Sequence, residues 1–159
     1  MQSLLALAAL VVVMVVSLTV QRARAGLEDR QVDNEIDTVA LGIATEQLNR
    51  AALLPFDEVP RVLNVADLTP PAAFGGATSW EGAADLDDLD GLTRTVPIGP
   101  DGRALEYVVR TEVRYVLPAA GDFVSASVQT AHKELTVTVE GPKGQRAVFF
   151  RLFGCRFNG

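Results

Sequence analysis

The chain has 159 residues, a formal net charge of −6 and a single cysteine, Cys155. This length suits one modest domain. The acidic balance argues against a nucleic-acid partner, because backbone phosphates reward Lys and Arg. One cysteine excludes an intrachain disulfide.

The chain opens MQSLLALAALVVVMVVSLTVQRARAG. From Leu4 to Val20 nothing is charged, and only Ser17 and Thr19 are polar. A spanning helix wants roughly 20 apolar residues. Each Leu or Val near a bilayer centre contributes about −0.3 to −0.6 kcal/mol, so about ten of them give roughly −3 to −6 kcal/mol. The expectation is a transmembrane or assembly half-helix over residues 1–25, lined by Leu4, Leu7, Leu10, Val11, Met14 and Leu18. The competing reading is an export signal. Ala23-Arg24-Ala25 offers a small-x-small cleavage site, but Met1 to Ser3 carries no basic residue.

The following segment, GLEDRQVDNEIDTVALGIATEQLNRAALL, places Val32, Ile36, Val39, Ile43, Leu48, Ala51 and Leu54 at helical spacing. Asp33, Asp37, Glu46 and Arg50 lie opposite. No proline occurs before Pro55. The reading is one continuous helix, apolar in its first half and amphipathic over 26–54, stopped where Pro55 disfavours helical geometry at Leu54. An uninterrupted register favours the anchor over a removable signal.

Residues 55–90 are rich in Pro, Gly, Ala and Asp, and are read as a structured loop. Over 91–159 the period becomes two. Tyr107, Val109, Thr111, Val113 and Tyr115 share one face of a strand. Leu135, Val137 and Val139 share a face of a second, and Val148, Phe150 and Leu152 of a third. DFVSASVQT is a weaker fourth. Gly99 to Gly102, Pro118 to Gly121 and Gly141 to Gly144 supply turns. Short connections imply an antiparallel meander of about four strands. The expected fold class is α+β, with the amphipathic half of the helix covering the sheet within a globular domain at 26–159.

In this arrangement the chain resembles the minor pilins and minor pseudopilins of type IV pili and type II secretion systems. ALGIATEQLNRAALLPFDE is similar to that group's helix end. DLDDLDGLTRTVPIGPDGRALEYVVRTEVRYV is similar to its Asp-rich stretch and first long strand, and KELTVTVEGPKGQRAVFFRLF to its closing hairpin. The chain departs from the pattern at its start. Leu5 stands where the family has Glu, and no acidic residue precedes Glu28.

The resemblance implies a prepilin-like, non-enzymatic structural subunit of a pilus or secretion filament. Its partners would be other pilin-like subunits, through the N-terminal helix, and the lipid bilayer, with no nucleic acid and no small-molecule substrate. It implies a single-pass inner-membrane protein with a periplasmic or extracellular domain, or a place in a surface filament. Arg22 and Arg24 oppose that topology under the positive-inside rule. The alternative is an exported, signal-cleaved or membrane-tethered binding module.

Candidate sites are few. Asp85, Asp87, Asp88 and Asp90 lie within DLDDLDG and could hold Ca²⁺, which takes 6 to 8 oxygens. The spacing does not fit an EF-hand loop, and a solvated acidic turn is the competing reading. His132, the only histidine, is expected at the surface. Cys155 is expected half-buried, Trp80 as a plug on the domain, and Phe56-Asp57-Glu58 as a cap after the helix. No phosphate loop, CxxC or GxSxG occurs.

Overall fold

The structure, a computed structural model, describes residues 2–58, 64–100 and 104–155; between 2 and 30 it describes side chains only at 14, 17–19, 21 and 22. The chain divides into two compact units, Met1–Thr38 and Val39–Gly159.

One helix, α1 (Gln2–Ala51), runs through the first unit and into the second. In the first unit Met14, Leu18 and Val32 are exposed, as are the polar Ser17, Thr19, Gln21 and Arg22. No helix among the described residues is long and apolar enough to cross a membrane. This corrects the expectation of a transmembrane half-helix and of a single-pass inner-membrane protein. The physical reason lies in the described stretch itself. Of the side chains described there, Ser17, Thr19, Gln21 and Arg22 are polar beside Met14 and Leu18, and Asp33, Glu35 and Asp37 follow, so no described stretch supplies the roughly 20 apolar residues a span requires. The side chains of Leu4, Leu7, Leu10 and Val11 lie outside the described ones.

In the second unit the buried stripe of α1 consists of Ala40, Ile43, Ala44, Gln47 and Ala51. Three of these are alanines, which let a helix approach a sheet closely. Gln47, expected on neither face, is fully buried. The α-helix ends at Ala51 rather than at Leu54. Leu53 and Leu54 donate their N–H groups to Arg50 and Ala51, three residues back. The final turn tightens because Pro55 bars its predecessor from helical geometry.

The loop from Pro55 to Gly91 contains four short 3₁₀ turns, at Val65–Asp67, Pro71–Ala73, Trp80–Gly82 and Asp87–Leu89. Five strands follow: β1 (Thr93–Ile98), β2 (Leu105–Ala119), β3 (Asp122–Ser125), β4 (His132–Glu140) and β5 (Arg146–Gly154). All pairings are antiparallel. The order is β1-β2-β4-β5, with β3 folded back on the far end of β2.

Strand β1 had no alternating signature, and Pro97 lies within it. The long β2 accommodates three neighbours in turn. Tyr107, Val109, Thr111, Val113 and Tyr115 all face inward and are buried, as are Leu135, Val137 and Val139 of β4. Val148, Phe150 and Leu152 share a face, as their spacing indicates. That face is the outer one, where they are exposed.

Candidate functional site

The densest gathering of ionisable groups lies where the loop meets the sheet, and its centre is Lys133. Strand alternation turns this residue to the inner face of β4, where its side chain is 0% exposed. A lysine so placed needs partners for its ammonium. The Nζ donates to the Phe56 carbonyl at 2.6 Å and lies 2.5 Å from Asp87 Oδ1 and 3.4 Å from Asp57 Oδ2. The rings of Phe56, Tyr115 and Phe74 surround it, with centroids 4.2, 5.2 and 5.4 Å away. Rings at this range add cation–π attraction in a desolvated site.

Each partner fixes a different piece of chain. Asp57 follows the helix end; its Oδ2 accepts the Thr69 N–H at 2.8 Å and its Oδ1 the Thr69 hydroxyl at 3.2 Å. Tyr115, on β2, donates its hydroxyl to the Thr69 carbonyl at 2.8 Å. Its ring packs on Phe74 at 5.1 Å between centroids. Gly75 donates its N–H to the Asp87 carbonyl. Its φ of +78° and an Asp90 carbonyl 3.2 Å from any added Cβ make this a glycine position.

The four aspartates of DLDDLDG separate into different roles. Asp85 and Asp87 are buried rather than solvated. Asp85 Oδ1 accepts the N–H groups of Asp87 and Asp88 at 2.8 and 3.1 Å, closing the turn onto itself. Asp88 Oδ2 accepts the Ala84 N–H at 2.8 Å. Asp90 Oδ1 accepts the Val113 N–H on β2 at 2.8 Å. Asp87 alone of the four reaches Lys133.

The set that could share a cation is Asp57, Asp85 and Asp87, whose carboxylate oxygens lie within 4.8 Å of one another. It includes a residue the Asp-rich motif does not contain and omits Asp88 and Asp90. The positive charge among these carboxylates is the Lys133 ammonium.

Desolvation pushes the Asp87 carboxyl up to about 6; Lys133 opposes the rise, and the charges of Asp85 and Asp57 add to it. Burial also raises the Tyr115 phenol, with the three aspartates adding to the effect. Two positive charges fewer than negative ones, in a dry pocket, make full ionisation costly.

The remaining candidates are peripheral to this cluster. Trp80 is buried and has the Arg94 guanidinium 5.9 Å from its ring. His132 is half-buried, 5.7 Å from the Phe123 ring. Cys155 is half-buried, its thiol pushed up by burial, and its N–H donates to the Ala131 carbonyl. Sequence reasoning missed Lys133 and Gln47. The signal that could have found Lys133 is its parity with Leu135 and Val137 on β4. Comparison with protein-family models, with curated proteins and with solved structures found no match.

Proposed function

We propose that the chain is a non-enzymatic structural subunit of the minor-pilin or minor-pseudopilin kind, assembled through α1 with the helices of like subunits. The observation that carries the reading is a set of uncovered apolar side chains on one side of α1, where Gln21 is also exposed. Met14 is 60%, Leu18 46% and Val32 42% exposed. Met14 and Leu18 are one turn apart, and Val32 lies about five turns beyond Met14, so the three share one side of the helix. Apolar side chains repeating on one helical face are suited to a second helix. The ionisable cluster around Lys133 supports a structural role, because its members tie loop, helix end and sheet to one another.

The test is photo-cross-linking in the native cells, with a photoreactive residue at Met14 and, as control, at the exposed Leu53. The expected result is adducts from position 14 to helices of other filament subunits, identified by mass spectrometry, and none from position 53. Equal adduct patterns from both positions would overturn the reading. Leu18→Arg is expected to reduce incorporation into the assembly without changing the melting of the second unit.

A further inference from the structure

Strand β5 ends the path β1-β2-β4-β5 and, among the described residues, is paired on one side only, by β4. An open strand edge is a row of N–H and C=O groups ready to pair, and proteins blunt such edges with proline, charge, bulges or shortness. The opposite edge, β1, is six residues long and contains Pro97. β5 is nine residues long and has no proline. Its outer face carries Val148, Phe150 and Leu152, exposed at 53, 65 and 36%. With Phe123 and the polar side chains of Glu112, Arg114, Asp122, Glu134 and Thr136 they line a shallow concavity of about 440 Å³.

We propose that this edge pairs with β5 of a second copy of the chain, antiparallel about a two-fold axis at Phe150. The strand's own order of residues selects the partner. About this axis Phe150 faces Phe150, and Val148 faces Leu152 of the second copy. Apolar meets apolar at the three central outer positions of the pair. On the other face Phe149 lies opposite Arg151 of the second copy, and Ala147 opposite Phe153. Arg146 lies opposite Gly154.

No arginine therefore meets an arginine, and each Arg151 meets an aromatic ring, a favourable cross-strand neighbour. Moving the axis to Arg151 sets like charges face to face, which destabilises. Moving it to Phe149 sets Leu152 against Arg146. The axis at Phe150 pairs the strand over its whole length with no like charges opposed, and self-matching about a dyad is the requirement of an isologous interface. The pairing does not depend on the assembly role proposed above.

The test uses the full chain, by sedimentation velocity over a concentration series and by disulfide trapping in a Cys155→Ser background. The wild type is expected to shift from monomer to dimer as concentration rises. Phe150→Lys removes no core contact and is expected to weaken dimerisation at least about tenfold, since two lysines then face each other at the dyad. Under mild oxidation Phe150→Cys is expected to give a covalent dimer, because directly opposed strand positions lie within disulfide reach. Val148→Cys alone is not, since its own copy lies four residues away along the second strand, about 13 Å. Val148→Cys mixed with Leu152→Cys restores the cross-link. A wild type that stays monomeric, association unchanged by Phe150→Lys, or trapping of Val148→Cys as efficient as that of Phe150→Cys would each overturn the proposal.

Discussion

Lys133 carries more of the architecture than any other single side chain. Its ammonium is held by the Phe56 carbonyl, two carboxylates and three rings, with no exposure to water. Removing one partner of a buried ion pair leaves the other charge uncompensated, at a cost of about 3–5 kcal/mol. Lys133→Met is therefore expected to destabilise by that order in urea unfolding, and adding Asp87→Asn to recover part of the loss. The sign of the pH effect follows from Asp87. Its folded pKa, about 6, lies above its ordinary 3.8. Between these values the unfolded chain has released the proton and the folded chain still holds it. The Asp87 contribution is thus fully present below about pH 4 and is lost as pH rises through 6, by on the order of 2–3 kcal/mol. Subtracting the stability profile of Asp87→Asn from that of the wild type should leave a difference that falls over this window. A flat difference would show that Asp87 titrates in the ordinary range. Gln47 makes a second, independent case. Its side chain is fully buried, and neither amide atom has a hydrogen-bond partner among the described protein atoms. A buried polar group without a partner costs about 1–3 kcal/mol, so Gln47→Leu is expected to raise the unfolding midpoint. A lower midpoint would mean that the amide is satisfied in solution.

Elements here are joined by side chains that reach for backbone, and β2 shows how. Thr111 is buried, and its hydroxyl lies 2.5 Å from the Leu89 carbonyl and 3.3 Å from that of Leu92. Its own N–H donates to Leu92, and its carbonyl accepts from Gly91. The Asp-rich turn is thereby sewn to the sheet, with Asp90 adding a bond to Val113. Thr111→Val keeps the shape and removes both hydroxyl bonds, leaving each of the two carbonyls with its backbone donor alone. The expected loss is about 1–2 kcal/mol, accompanied by faster amide exchange at Gly91 and Leu92. This joint also marks how far the sequence could be read. Period two located β2 and β4 and put Tyr107 to Tyr115 correctly inward. It could not orient β5, because Ala147, Phe149 and Phe153 are apolar on one face and Val148, Phe150 and Leu152 on the other. It passed over β1, whose TRTVPI has no alternation and contains a proline. Lys133 and Gln47 were illegible for a different reason. A polar side chain is assigned to the surface until tertiary partners are known, and the oxygens that hold the Lys133 ammonium lie 46 to 77 residues away in sequence. Asp57 and Asp87 become neighbours only through that contact.

At the scale of the whole molecule the division at Thr38 separates nearly all of the core from a helical segment that contributes little to it. Apart from Ile36, every core side chain among the described residues lies between Ala40 and Val139. Burial of apolar area dominates the favourable side of folding. The first unit, in contrast, shows exposed Met14, Leu18 and Val32 on a helix. A helix gains most of its stability from packing of an apolar face rather than from propensity, so a face left uncovered contributes little to the monomer. Removing residues 2–35 should therefore leave one cooperative unfolding transition, with a midpoint within about 5 °C of the full chain, equivalent to roughly 1 kcal/mol in a domain of this size. The same truncation should abolish incorporation into the assembly, while leaving the concentration-dependent pairing through β5 intact. Circular dichroism melts and sedimentation of the truncated chain measure both on one sample. A midpoint lowered by much more than this would place part of the core upstream of Ile36. Loss of self-association with the fold retained would show that the helix, rather than the sheet edge, holds the copies together.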